Sequence, residues 1–209
     1  MPEFIVRARK APVDADRFLT AVGEDAHVEY LSQIIVNSLF ISKGHRNDTT
    51  LTLVLEDSSD FSRAISLAGA TLGSVEDVTE MGFLKLLADC LRAGASLKKE
   101  ETKQLDNGIQ IQAVSFEHLV RDRAEQRSVY ILDKKGQDIR SAEVSNDAVF
   151  LLTDHIPMPK KTFKSMQRQG VQKLSLGPVM LHASQCIVLI QNEIDRHSMS
   201  TIIGADIAR

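Results

Sequence analysis

Val171-Gln172-Lys173-Leu174-Ser175-Leu176-Gly177-Pro178-Val179-Met180-Leu181-His182-Ala183-Ser184-Gln185-Cys186-Ile187 is the stretch on which the fold turns. Val171–Leu176 reads as a short buried strand, Gly177-Pro178 as a turn, and roughly 184–198 as a helix. Ile187, Ile190 and Ile194 mark one face of that helix. A strand that feeds a helix through a short loop is the repeating unit of an α/β sheet.

Two more apolar strands precede it. Val129–Leu132 is one, with Asp133-Lys134-Lys135-Gly136 as its turn, and Ala148–Leu152 is the other. Thr162–Gln169 is a polar helix between the second strand and the third. Further upstream, Phe4–Arg7, Leu51–Leu55, Ala64–Leu67 and Ile109–Val114 read as strands. Val28, Leu31, Ile35 and Leu39 recur at helical spacing and predict a helix over roughly 26–41. A second helix runs from Val78 through Leu91 and stops near Gly94, and Phe116–Arg123 is a third. Lys98–Asn107 is charged and apolar-poor, so a solvated connection is expected there. The pattern implies an α/β fold with an open parallel sheet covered on both faces. No repeat or linker divides the chain, so residues 1–209 are expected to form one domain.

Bulk properties narrow the function. The 209 residues are 43% hydrophobic and 25% charged, enough to build a full core without disulfides or metals. A net charge of -3 gives no global basic field, so any RNA contact must come from a local patch. Cys90 and Cys186 lack CxxC spacing, which argues against zinc and a disulfide scaffold and fits a reducing cytoplasm. His27 and His45 have no ligand-spaced partners, and no metal is expected. The start lacks signal-peptide order and no apolar stretch is long enough to span a membrane. GxGxxG, GxxxxGK[ST] and GxSxG are all missing, which removes the dinucleotide-binding, P-loop and hydrolase fingerprints.

In open α/β sheets ligands lie outside the carboxyl ends of the strands. Three loops qualify: one from Leu132-Asp133, one over Thr153–Pro159, and one over Leu176–Ser184. The second and third form the default pocket. Asp154-His155 suits a general acid/base pair or a ribose or phosphate ligand, and equally suits turn chemistry at a strand end. Gly177-Pro178 allows backbone to approach a ligand or simply makes a tight turn. His182 and Ser184 fit helix capping better than catalysis. Cys186 fits a small buried hydrophobe better than a nucleophile. Lys160, Lys161, Lys164, Arg168 and Lys173 form a basic stretch that could join Arg7, Arg9 and Arg46 in a phosphate-binding patch. A solvated helix face explains the same stretch equally well.

The residues L-S-L-G-P-V-M-L-H-A-S-Q-C-I at 174–187 resemble the pattern L-S-L-S-P-x-x-L-H-A-x-x-C-I of the TrmY family. That family comprises tRNA pseudouridine-54 N1-methyltransferases of the SPOUT superfamily. Asp154-His155-Ile156 is similar to its G-D-H-I, Pro2-Glu3-Phe4-Ile5 to its R-E-F-I start, and Arg46 with Asp48 to its R-x-D. The resemblance implies a SPOUT-type open parallel sheet with a C-terminal deep trefoil knot, which no composition could reveal. It implies S-adenosyl-L-methionine held by Leu132, Thr153, Leu174, Ser175, Leu176, Gly177, Pro178, Val179 and Cys186. The contact of Cys186 would be packing or backbone rather than nucleophilic. It implies a homodimer packed through the C-terminal helix region. It implies an RNA substrate, tRNA first, whose phosphates meet Arg46, Lys160, Lys161, Lys164 and Arg168. Loss of the N1 proton of pseudouridine needs an acceptor, Asp154 first and His155 second. The chain departs from the pattern at Thr153 (glycine in the family), Gly177 (serine), His27 (arginine) and Glu29 (aspartate). Another RNA such as ribosomal RNA, or a non-catalytic RNA-binding assembly role, is the alternative.

Overall fold

Phe4, Val6 and Ala8 enter one hydrophobic core and Ile5 enters another, so β1 (Glu3–Pro12), the strand that carries them, is buried on both faces. The computed structural model describes residues 1–207, with side chains described as far as His197. After β1 come α1 (Ala15–Thr20), α2 (Glu29–Leu39), β2 (Phe40–Ile41), β3 (Gly44–His45), β4 (Thr50–Asp57) and β5 (Arg63–Ala68). Then follow α3 (Glu80–Ala93), β6 (Thr102–Gln104), β7 (Ile109–Gln112) and α4 (Phe116–Ala124). The last third holds β8 (Val129–Asp138), β9 (Val149–Thr153), α5 (Lys160–Arg168), β10 (Gln172–Ser175) and α6 (Ala183–Ile207).

The main sheet has the order β10-β8-β9-β1-β4-β5-β7-β6. From β10 to β4 all neighbours are parallel, and from β4 to β6 all are antiparallel. The expectation of a parallel sheet therefore holds for the half that carries the three loops. The other half is antiparallel: α3 carries the chain from β5 to the edge strand β6, and β7 then returns between the two and pairs with both. Lys98–Asn107 is not merely a connection. It contains β6, an edge strand of three exposed residues whose polar sequence hides it from any hydrophobic pattern.

Helices cover both faces. α1, α2, α3 and α6 bury Phe18, Leu31, Ile35, Leu39, Phe83, Leu87, Ile187 and Ile190 on one side. α4 and α5 bury Phe116, Leu119, Val120 and Met166 on the other. Thr79 caps α3 by accepting the Gly82 N–H, and Ser115 caps α4 by accepting the His118 N–H. α6 is fastened to α2 and the segment after it. Gln191 Nε2 donates to Ser38 O at 2.7 Å, and the Arg46 guanidinium grips both carboxylate oxygens of Asp195 at 3.0 and 2.5 Å. Ile187 and Ile190 are thus spent on the chain's own core. Among the described side chains of α6, Val188 and Leu189 are the exposed large apolar ones.

β8 does not end at Asp133–Gly136. Turn chemistry is present, since Asp133 Oδ1 accepts the Lys135 N–H at 2.9 Å, yet the strand resumes beyond it. β10 pairs first with Tyr130 and Ile131, then with Gln137 and Asp138, so 132–136 bulges out of the ladder. Gly136 is the point of closest passage. A Cβ there would lie 2.6 Å from Leu174 N and 2.7 Å from Leu174 C, so only glycine lets the two backbones meet.

Candidate active site

The parallel register brings the carboxyl ends of β8, β9 and β10 to one end of the sheet. The three loops expected to form a pocket therefore lie together. Thr153, the last residue of β9, pairs with Arg7 of β1, and the Asp154 N–H donates to Arg7 O at 3.2 Å. Leu132, Leu176 and Leu181 pack against the core that contains Leu174 and Cys186.

The third loop is built from backbone. Gly177 adopts φ +115°, a conformation that favours glycine, and its N–H donates to Ser175 Oγ at 3.2 Å. The N–H groups of Val179, Met180 and Leu181 donate to no acceptor among the described residues. A loop next to a strand end with unspent donors can receive a polar ligand through its main chain. Gln185 Oε1 reaches back to the His182 N–H at 3.0 Å, the glutamine half of a capping box at the start of α6. Cys186 sits one turn on, buried, its Sγ 3.9 Å from Leu181 O, and burial pushes its thiol up to about 11. A thiol so disposed is not a nucleophile at neutral pH.

The second loop holds the ionisable groups. The Asp154 side chain is only 2% exposed. Its Oδ1 accepts the Ile156 N–H at 3.1 Å, and its Oδ2 lies 3.3 Å from His155 Nδ1. Burial raises the Asp154 carboxyl above its ordinary value, against the opposing pull of the Ile156 N–H and of His155. His155 Nδ1 is itself buried and within ion-pair distance of that carboxylate, but is not aligned for a hydrogen bond with it. Its ring is 20% exposed, so of the two residues His155 is the one that meets solvent.

Around His155 stand rings that periodicity did not single out. His27 lies edge-on to it with centroids 4.9 Å apart, and Tyr30 is 6.1 Å away. Tyr30 stacks on His27 at 5.4 Å and reaches His182 at 5.7 Å. His27 Nδ1 is 3.2 Å from Glu29 Oε1. Burial opposes ionisation of Glu29. Hydrogen bonds from its own N–H, from His27 and from the Gly23 N–H outweigh burial and hold the carboxyl below its ordinary value. The only hint in the sequence was that 27 and 29 depart from the family pattern. Among the described residues no group of three His, Cys, Asp or Glu side chains is placed to hold a metal ion.

The basic stretch divides. Lys160, Lys161, Lys164 and Arg168 are exposed on α5 and enter no ion pair among the described residues. Lys173 pairs with Asp133 at 3.0 Å and lies over the Phe163 ring. Arg46 is committed to Asp195. Arg7 is buried, 3.0 Å from Glu56 and 2.9 Å from Glu117, with Phe116 under its guanidinium, so it belongs to the interior and not to a phosphate-binding patch. Two concavities of about 370 and 480 Å³ open elsewhere, at Arg140–Ser145 with His197 and beside Glu3, Arg123 and Arg127. Neither is lined by the three loops, and the chemistry described above belongs to the loops.

Known proteins resemble this chain along most of its length. A protein from Shewanella frigidimarina named "Putative pseudouridine methyltransferase" is 45% identical over 195 residues, covering 93% of this chain and 98% of that one. A protein of the same name from Vibrio atlanticus is 44% identical over the same coverage. The crystal structure of Archaeoglobus fulgidus Nep1 bound to S-adenosylhomocysteine has a similar fold, with a TM-score of 0.58, 13% identity and coverage of 93% of this chain and 96% of that one. No helix among the described residues is long and apolar enough to cross a membrane. Residues 1–199 match the family described as "Putative SAM-dependent RNA methyltransferase", and the chain belongs to that family.

Proposed function

We propose that this chain transfers the methyl group of S-adenosyl-L-methionine to N1 of a pseudouridine in RNA, with tRNA as the substrate class. One observation carries the reading. The Asp154–His155 pair and the unspent backbone donors of the 176–181 loop lie at the same end of the sheet, in a chain whose relatives are named pseudouridine methyltransferases.

The residues suited to hold the cofactor are Leu132, Thr153, Leu174, Ser175, Leu176, Gly177, Pro178, Val179 and Cys186. They combine the apolar side chains of Leu132, Leu174, Leu176 and Cys186 with the unspent main-chain N–H of Val179, which Met180 and Leu181 extend along the loop. When bound, S-adenosyl-L-methionine supplies an activated methyl on sulfonium, so alignment is the main demand on the protein. His155 takes the N1 proton at Nε2, because its Nδ1 faces Asp154. Asp154 has almost no surface of its own and acts behind the imidazole, orienting it and stabilising the imidazolium. The four free cations of α5 hold the RNA backbone, while Arg46 serves α6 first.

The same reading includes a deep trefoil knot in the C-terminal part of a single domain over 1–209. The likeness to the Nep1 fold and the passage of Leu174 across Gly136 support it. It includes a homodimer. Val179 and Met180 of the loop, 71% and 93% exposed, and Val188 and Leu189 of α6 give a partner copy apolar surface to cover. The test compares matched transcripts with uridine or pseudouridine at the candidate position, followed by nucleoside mass spectrometry. Methyl on the pseudouridine transcript alone is expected. Equal methylation of both, or methyl on ribose, overturns the reaction. A monomeric mass by sedimentation at micromolar concentration overturns the dimer.

A further inference from the structure

Tyr30 lies where three remote segments meet: the start of α2, the loop after β9 and the loop after β10. Its ring contacts His27, His155 and His182, at 5.4, 6.1 and 5.7 Å between centroids. The chain has two tyrosines and no tryptophan, and the other tyrosine, Tyr130, is buried. Phe4, Phe18, Phe83, Phe116 and Phe150 are sealed in the core. Phe61, 38% exposed, makes no ring contact with this cluster among the described residues. Tyr30 is the accessible tyrosine, and it is gathered with His27 and His182 around His155.

The cluster is open. The His27 side chain is 42% exposed, His182 is exposed, and the Tyr30 hydroxyl meets no partner among the described residues. A packing cluster would close over its rings and satisfy that hydroxyl. His27 is also held at φ +48°, a left-handed conformation that a non-glycine residue adopts at a cost, and Glu29 fixes its imidazole there. Such strain is an observation that points to a site rather than to the core.

We infer that Tyr30, flanked by His27 and His182, is the ring surface on which the target base stacks after leaving the RNA. The inference rests on the reading of the substrate as an RNA base. A base that leaves its helical stack loses contacts that an aromatic side chain can return, and single-stranded RNA is commonly read this way. Placed against Tyr30, the base is also placed against His155, the proton acceptor of the proposed reaction. Tyr30 is thus a specificity-determining residue. It selects an unstacked base and delivers it to the imidazole.

The experiment uses a stem–loop RNA with 2-aminopurine at the target position, titrated with wild type, Tyr30→Phe, Tyr30→Leu and His182→Ala. Stacking on a ring keeps the fluorophore dim, and a ringless pocket lets it brighten. The expected complexes are dim for wild type and Tyr30→Phe, bright for Tyr30→Leu and intermediate for His182→Ala. RNA affinity should fall about tenfold in Tyr30→Leu, with S-adenosylhomocysteine binding unchanged. His182→Ala changes an exposed side chain and carries the test should Tyr30→Leu lower the unfolding midpoint. Equal brightness of all four complexes overturns the ring surface. Methyl transfer is assayed separately on pseudouridine transcripts. A wild type that transfers no methyl but shows ring-dependent fluorescence overturns the reaction and leaves the ring surface standing. Transfer without ring dependence does the reverse.

Discussion

Asp154 stands behind His155, its Oδ2 3.3 Å from the Nδ1 of an imidazole that is itself the accessible member of the pair. Two adjacent residues thus occupy two layers of the site, and their substitutions should separate. Burial raises the Asp154 carboxyl, so the folded state favours its protonated form. For an acid with a raised folded value, stability is greatest at low pH and is lost as pH rises through the folded value. Asp154→Asn removes that loss. The variant should unfold at a higher temperature than wild type near pH 7.5, and the gain should vanish as pH falls below the ordinary aspartate value of 3.8. Its methyl transfer should drop by about 10²-fold or more, through turnover rather than RNA affinity. A variant with wild-type turnover would remove Asp154 from the mechanism.

Cys186→Ala should keep most of the methyl transfer. The thiol is buried and pushed up to about 11, so covalent catalysis through it is closed at neutral pH. The expected loss is one of packing, about 1 kcal/mol in a urea titration. A folded Cys186→Ala protein without activity would require a chemical role for the thiol.

Gly177→Ser restores the residue of the family pattern and tests whether the loop tolerates it. A Cβ at this position meets nothing within 4 Å, so any penalty comes from φ +115° alone. About 1–2 kcal/mol of destabilisation is expected from that backbone strain. An unchanged denaturation midpoint would mean that the loop relaxes to another conformation.

The cations of α5 should set the salt dependence of RNA binding. Alanine at each of Lys160, Lys161, Lys164 and Arg168 should lower the slope of log K against log salt by about 0.7 for each contact to single-stranded RNA. Arg46 should behave differently, because Asp195 already holds it. Asp195→Ala releases Arg46 and should tighten RNA binding if that guanidinium reaches a phosphate. Unchanged affinity in Asp195→Ala would confine Arg46 to fastening α6.

What could be read from residues alone followed from side-chain periodicity. Phe4, Ile5 and Val6, or Val149 through Leu152, alternate between two cores, and their apolar runs announce buried parallel strands. β6 was hidden because an exposed edge strand has no face to bury, and Thr102, Lys103 and Gln104 look like any loop. The continuation of β8 past Gly136 was hidden because the local turn chemistry of Asp133 is real, and the resumption depends on β10, far along the chain. Asp154 and His155 were legible as a pair. Which one faces the substrate was not, since that depends on burial. Tyr30 was silent, because a residue at the start of a helix gives no sign of meeting loops more than a hundred positions away.

The fastening of α6 onto α2 has a consequence for biosynthesis. β10 and α6 leave the ribosome long after β1 and α2, yet Leu174, Ile187 and Ile190 belong to the same core as those early elements. Until they arrive, Leu39 and its neighbours on α2 lack part of their cover, and β8 remains an open sheet edge. The nascent chain is therefore at its stickiest just before β10 and α6 arrive. Asp195, gripped by Arg46, follows β10 in the chain, so a ribosome that stalls just short of it leaves the sheet without the ion pair that fastens α6.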